Sequence, residues 1–242
     1  MAGTDAREGG GAGMGTLFVV ATPIGNLEDM TFRAVETLRR AGAIACEDTR
    51  QTLKLATRFG LHARLISYYQ PREGQKIPLI LSLLREGKDV ALVSDSGTPG
   101  ISDPGFKLIR EAIRAGVTVV PIPGPSALVA ALSASGLPTH RFLFLGFPPP
   151  RKEKLRRFLE SLRDEEGTLI FYLPGRKVGE FLGQAAEALP NRDAVIAREL
   201  TKVHEEFLRG TLSELRDRLG DRQLKGEAIV LVVGAGKTKR FP

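Results

Sequence analysis

Residues 89–105 read DVALVSDSGTPGISDPG. The apolar run Val90 to Val93 has the length and composition of a strand buried on both faces. It stops in Ser94-Asp95-Ser96-Gly97-Thr98-Pro99-Gly100, and a second acidic turn, Asp103-Pro104-Gly105, follows. Gly97 and Gly100 permit backbone shapes that other residues resist. Ser94, Ser96 and Thr98 supply hydroxyls, and Asp95 stands at the strand end as an acceptor. A cap and a turn account for Asp103-Pro104 at the start of a helix over 105–116. They do not account for a loop so long, small and polar. A strand end of this kind is expected to face a small molecule.

Outward from this strand the pattern alternates. LFVVAT (17–22), AIACED (43–48), RLISYY (64–69), DVALVSD (89–95) and VTVVPIP (117–123) read as strands. Helical spacing fills the gaps at 31–41, 49–60, 76–87, 105–116 and 125–136. In the first of these helices Phe32, Val35 and Leu38 share one face and Thr31 is the expected cap. Strand-helix alternation predicts a doubly wound, mostly parallel sheet. GFPPPRKEK (146–154) then reads as a linker. Beyond it follow helices at 151–163, 176–189 and 211–219 and strands at 168–173, 194–199, 205–210 and 227–234. The helix-poor stretch 200–210 predicts a strand pair, so this second sheet is expected to be mixed. The expected division is a disordered tail over 1–15, an N-terminal α/β domain over 16–140, a C-terminal α/β domain over 141–236 and a basic tail over 237–242. Met14, just before the first strand, is a candidate start.

Other strand ends repeat the theme of small polar loops. ATPIGNL (21–27) follows the first strand and PGPSA (123–127) the fifth. EDTR (47–50) places Glu47, Asp48 and Arg50 at the end of the second. Carboxyl ends of parallel strands are where such sheets build their crevice. Capping of the next helix explains one of the two acids but neither the other nor Arg50. GAGKT (234–238) is a decoy for a phosphate loop. The glycine that the full pattern needs is replaced by Leu231, and no helix follows.

Composition narrows the choice. The 242 residues carry a formal charge of +7, which suits a polyanionic partner such as RNA. There is no Trp and there are only three Tyr, so aromatic stacking platforms look sparse. The single cysteine, Cys46, forms no internal disulfide, and a cytoplasmic home is expected. His62, His140 and His204 lack ligand spacing, so no metal site is expected. No apolar stretch approaches the roughly 20 residues of a membrane span.

ATPIGNL, EDTR, LVSDSGTPGISDPG, PIPGPSALVAALSASGLP and ARELTK (197–202) occur in that order. Together they resemble the bacterial small-subunit ribosomal RNA methyltransferase I family, a branch of the tetrapyrrole methylase superfamily. The resemblance runs from about Leu17 to Gly234. It implies two α/β domains with S-adenosylmethionine bound between them. It also implies 2′-O-methylation of a cytidine ribose in the decoding region of 16S ribosomal RNA, on the assembled or nearly assembled small subunit, by a homodimer. The cofactor-facing positions it implies are Pro23, Asp95, Gly97, Thr98, Ile101 and Ser126, with Tyr172, Ala197 and Ala228 from the second domain. One stretch departs from the pattern: in FYLPGRKVGEFL (171–182), Leu173-Pro174-Gly175 stand where an acidic and small polar pair is expected.

Methyl transfer to a ribose hydroxyl needs in-line alignment, exclusion of water and a route for the proton. Glu47, Asp48 and Glu199 are the candidate bases, and Arg50 and Lys202 the candidate phosphate or hydroxyl partners. EDTR is then expected to serve the RNA and SDSGTP the cofactor. The rival readings are a methylase of tetrapyrroles or of a protein side chain, and a non-catalytic ribosome assembly factor.

Overall fold

The computed structural model describes residues 13–220 and 222–236. The first twelve residues of the expected N-terminal tail and the expected basic tail at 237–242 lie outside them. The chain divides into two compact units between Ser126 and Ala127.

The first unit holds β1 (Leu17–Val20), α1 (Phe32–Arg40), β2 (Ala43–Cys46), α2 (Thr49–Phe59), β3 (Arg64–Ser67), α3 (Glu73–Arg85), β4 (Val90–Leu92), α4 (Phe106–Arg114) and β5 (Val119–Ile122). Its five strands are all parallel, in the order β3-β2-β4-β1-β5. The sheet is buried on both sides: one face packs on α1 and α2 through Leu38, Ile44 and Ala91, the other on α3 and α4 through Ile80, Leu84 and Leu108. Thr31 caps α1, as expected, by accepting from the Ala34 N–H. Phe32 does not join the buried stripe; it is 98% exposed, and Ala34 and Leu38 are the residues that α1 buries. Helix spacing pairs Phe32 with Val35, yet Phe32 is the first residue of α1 and the burial falls further along, at Ala34 and Leu38. The third helix begins at Glu73, three residues earlier than 76, because the Glu73 carboxylate is buried against Tyr68 Oη at 3.2 Å and Lys107 Nζ at 2.8 Å.

The second unit holds α5 (Ala127–Ser135), β6 (Phe142–Gly146), α6 (Lys152–Ser161), β7 (Thr168–Pro174), α7 (Val178–Ala188), β8 (Asp193–Arg198), β9 (Glu206–Thr211), α8 (Leu212–Leu219) and β10 (Glu227–Val232). Its sheet runs β6-β7-β10-β8-β9, with β6 parallel to β7 and the other pairs antiparallel. The expected mixed sheet is therefore present, and β8 and β9 are the strand pair foreseen around 200–210. One face is covered by α6, α7 and α8, around Phe171 and Phe181 whose ring centroids are 4.8 Å apart.

Two further features differ from the sequence reading. The stretch before GFPPPRKEK contains a strand, β6, that the linker reading passed over. The division at Ser126 also lies upstream of the expected 140/141 boundary, because α5 is pinned to the second sheet at both ends. The Leu128 N–H in its first turn donates to Tyr172 Oη at 3.1 Å. At its other end the Arg209 guanidinium donates to the carbonyls of Ala134, at 2.7 Å, and Ser135, at 3.2 Å. A cation on the last carbonyls of a helix is favourable electrostatically as well as by hydrogen bonding.

Candidate functional site

In the first unit the loops that leave β1, β4 and β5, neighbours in the sheet, are stitched together at their carboxyl ends. Thr22 and Gly97 exchange backbone hydrogen bonds of 2.9 and 3.0 Å. Buried Thr22 also donates its hydroxyl to the Ser94 carbonyl at 3.1 Å. The Ser94 hydroxyl lies 3.3 Å from the Gly97 carbonyl, and Thr98 donates to the Pro125 carbonyl at 3.2 Å. Gly97 holds φ +81, a left-handed conformation that favours glycine. These bonds fix a rigid rim on which Pro23, Gly97, Thr98 and Ser126 are at most partly exposed, while Asp95 and Ile101 stand out to solvent.

The EDTR segment joins the same rim. The Asp48 N–H donates to Asp95 Oδ1 at 2.9 Å. The Asp48 carboxylate caps α2, accepting the Arg50 N–H at 2.8 Å, and receives the Arg50 guanidinium at 2.6 Å. Arg50 thereby holds the Asp48 carboxyl at about 2, through its guanidinium first and its backbone N–H second. A group so acidic is a poor acceptor of a substrate proton near neutrality. Glu47 is the opposite case. Burial, and then the charges of Asp103, Asp95 and Asp48, push its carboxyl above its ordinary value. The two adjacent acids are thus driven apart by their surroundings, which is how one site provides a fixed charge and a proton acceptor. Asp103, read from sequence as part of the helix start, acts instead as a charge on Glu47; the cap position of α4 is Gly105.

The second unit places the remaining expected residues in two groups. Tyr172 and Ala197 both lie opposite Ile229 of β10, so their side chains share the sheet face on which α5 sits. The Ala228 side chain points to the other face, into the core under α6, α7 and α8. Only its main chain is in a position to serve a ligand on the α5 side. Glu199 and Lys202 form a turn after β8: Lys202 Nζ donates to Glu199 Oε1 at 2.9 Å, and the Glu227 N–H lies 3.3 Å from the same oxygen. Lys202 first, and the Glu227 N–H among the further causes, lower the Glu199 carboxyl. The turn holds Glu199 at φ +50 and Thr201 at φ +65.

Sequence reasoning missed Thr22 as the residue that ties the first loop to the second, and Asp103 as a neighbour of Glu47. A threonine at a strand end carries no signal by itself. The recurrence of small polar residues at three adjacent strand ends was the available one. Among the described residues no cluster of His, Cys, Asp and Glu suits a metal ion. Among them also no helix is long and apolar enough to cross a membrane.

A parallel sheet with polar strand-end loops, followed by a mixed sheet, is the architecture of a known class. A family model for tetrapyrrole (corrin/porphyrin) methylases matches residues 16–216, and the chain belongs to that family. Within it, the chain is 48% identical over 223 residues to Ribosomal RNA small subunit methyltransferase I of Halalkalibacterium halodurans, covering 92% of this chain and 77% of that one. It is 43% identical over 221 residues to the protein of the same name from Thermotoga maritima, covering 91% and 99%. Among solved structures it is similar to the methyltransferase CobJ, with a TM-score of 0.70 at 23% identity over 94% of this chain and 97% of that one. A uroporphyrin-III-C-methyltransferase from Thermus thermophilus gives a TM-score of 0.60 at 24% identity, over 91% and 92%. The resemblance drawn from the ordered motifs is borne out, as is the expected pair of α/β domains.

Proposed function

We propose that the protein is an S-adenosylmethionine-dependent methyltransferase that modifies the ribose 2′-oxygen of a cytidine in the decoding region of small-subunit (16S) ribosomal RNA. The observation that carries this reading is the 43–48% identity, over nine-tenths of the chain, to relatives named for methylation of that RNA. The formal charge of +7 supports a polyanionic substrate. The expected homodimer and cytoplasmic location belong to the same proposal.

The first unit suits the cofactor on chemical grounds. S-Adenosylmethionine carries a sulfonium and an ammonium, and Glu47, Asp95 and Asp103 make this rim acidic. When bound, the cofactor supplies an electrophilic methyl group. Asp95, the main chain of Gly97 and Thr98, and Pro23, Ile101 and Ser126 are assigned to holding it, with Tyr172, Ala197 and the Ala228 main chain from the second unit. Glu47 is the preferred acceptor of the 2′-hydroxyl proton, because its carboxyl is raised while Asp48 is spent on the α2 cap and Arg50. Arg50, whose side chain is 87% exposed, and Lys202 are assigned to the RNA, and Glu199 to orienting Lys202.

Tritiated methyl transfer from S-adenosylmethionine tests the reading. Small subunits lacking their own modification are compared with naked ribosomal RNA, and nuclease mapping locates the label. The expected result is label on a cytidine 2′-oxygen with subunits only. Tight cofactor binding with no label on RNA would shift the assignment to a tetrapyrrole or protein substrate, or to a binding role.

A further inference from the structure

The segment between β6 and α6 carries an exposed aromatic ring and a group of cations that the site above does not use. Phe147 follows Gly146, whose φ of +61 turns the chain as it leaves the edge strand β6. The ring meets Tyr172 in a T-shaped contact, centroids 5.8 Å apart, and Tyr172 is held in turn by Phe144 at 4.8 Å and by the Leu128 N–H. A braced ring on the surface of a globular domain is usually covered, yet Phe147 is 61% exposed.

Pro148, Pro149 and Pro150 come next, each with φ fixed by its ring, so the connection to α6 is stiff. Both carboxylates of α6 are engaged by arginines of the same helix. Glu153 is taken by Arg156, at 2.8 Å, and Arg157, at 3.3 Å, and Glu160 by Arg156, at 2.9 Å. Arg151, Lys152 and Lys154 are exposed and enter no ion pair among the described residues. The six cations and two carboxylates of residues 151–163 are therefore not a mixed solvated face. Both carboxylates are taken by Arg156 and Arg157, which leaves Arg151, Lys152 and Lys154, the cations that follow the prolines in the chain, without a carboxylate.

An aromatic surface next to uncompensated cations is the combination that binds single-stranded nucleic acid: bases stack on the ring and phosphates meet the charges. We infer that Phe147 with Arg151, Lys152 and Lys154 forms a landing site for single-stranded RNA. It takes an unpaired base on the Phe147 ring and the flanking phosphates on the three cations. The inference rests on the RNA-substrate reading above and adds to it an RNA-binding surface that adjoins Tyr172, a residue assigned above to the cofactor.

The absence of tryptophan gives a direct test, because Phe147→Trp creates a single tryptophan at the site, excited selectively beside the three tyrosines. The probes are a short single-stranded RNA, the same RNA as a duplex, and polyglutamate of matched charge, each titrated into the full chain. Quenching by the single strand, and not by the other two, is expected. Phe147→Ala should weaken single-strand affinity by about 5- to 150-fold. Replacing the three cations by glutamine should flatten the salt slope by roughly 2, since each phosphate that is no longer neutralised removes about 0.7. Equal quenching by polyglutamate would overturn the inference in favour of an acidic protein partner, and equal quenching by duplex would remove the stacking. Unchanged affinity and salt slope in both variants would also overturn it. Methyl transfer by the wild-type chain separates the two claims. Label on subunits with unaltered variant affinities sinks this surface alone, whereas RNA-dependent quenching without any methyl transfer sinks the enzyme reading alone.

Discussion

The backbone N–H of Asp48 donates to the carboxylate of Asp95 at 2.9 Å. The bond joins the end of β2 to the loop that leaves β4, its neighbour in the sheet. The segment assigned to the RNA and the segment assigned to the cofactor are thus one hydrogen-bonded unit. Asp95 holds EDTR in place through one carboxylate oxygen.

Asp95→Asn should keep this bond, since the amide oxygen still accepts, and Asp95→Ala should lose it. Loss of one such exposed bond costs about 1 kcal/mol, or about 2–4 °C in Tm for a chain of this size. The alanine variant is also expected to bind S-adenosylmethionine more weakly than the asparagine variant by calorimetry. Equal melting temperatures for the two would show that the bond does not hold the loop.

Glu47 makes a prediction in pH. Its carboxyl is raised in the folded chain, by burial and then by Asp103, Asp95 and Asp48. The fold therefore favours the neutral acid. That contribution is fully present below the unfolded value of about 4.3 and is lost as pH rises through the folded value. Glu47→Gln removes the charged form, so its Tm should match wild type near pH 4 and exceed it at pH 8. In the same variant methyl transfer should fall sharply with cofactor affinity preserved. A Tm difference that is constant across pH would refute the burial argument, and full activity would move the base elsewhere.

Arg50 tests the division of labour. Its guanidinium is exposed on one side and bound to Asp48 on the other. Arg50→Ala should cut RNA methylation by about tenfold or more, on the scale of one charge-assisted hydrogen bond, and leave cofactor affinity near wild type. Because the pair with Asp48 also disappears, the Asp48 carboxyl should titrate nearer its ordinary value. Its stabilising charge, present above about 3.9 and lost as pH falls towards about 2 in the wild type, should then be lost at higher pH. NMR titration of Asp48 reads this directly. Equal loss of methylation and cofactor binding would end the separation of roles.

The order of strands and helices was legible because each βα step leaves a local signature: an apolar run, a polar strand end, then helical spacing. Thr31 announced itself as a cap for the same local reason, and a cap was legible at Glu47 or Asp48 without showing which of the two it is. What escaped was decided at a distance. The bond from Leu128 to Tyr172 spans 44 residues, and those from Arg209 to α5 span 74 and 75. They transfer α5 to the second unit, where its sequence neighbours would have kept it in the first. The edge strand β6 escaped because it ends at a bulge, between Phe144 and Gly146, and its proline-rich continuation resembles a linker. At the site, Glu47 and Asp48 are adjacent and chemically alike in sequence. Only Arg50 on one side and burial on the other separate the raised carboxyl of Glu47 from the cap, Asp48.

Gly226 carries the last prediction, in the second unit. It holds φ +75, and a Cβ there would lie 2.1 Å from Glu199 Oε1. The carboxylate that orients Lys202 therefore rests where any side chain at 226 would stand. Gly226→Ala should cost about 1–2 kcal/mol from the left-handed conformation and roughly another 1 kcal/mol from the displaced hydrogen bonds. Methyl transfer should fall with it, because Lys202 loses its partner. Gly183→Ala in α7 is the control, since nothing lies within 4 Å of its Cβ and alanine is favoured in a helix interior. Its Tm should hold or rise. A double-mutant cycle separates the two terms. With Glu199→Ala in the background the collision is gone, so Gly226→Ala should then cost only the conformational part. An undiminished cost in that background would mean that Glu199 does not occupy the space above Gly226 in solution, and its role towards Lys202 would fall with it.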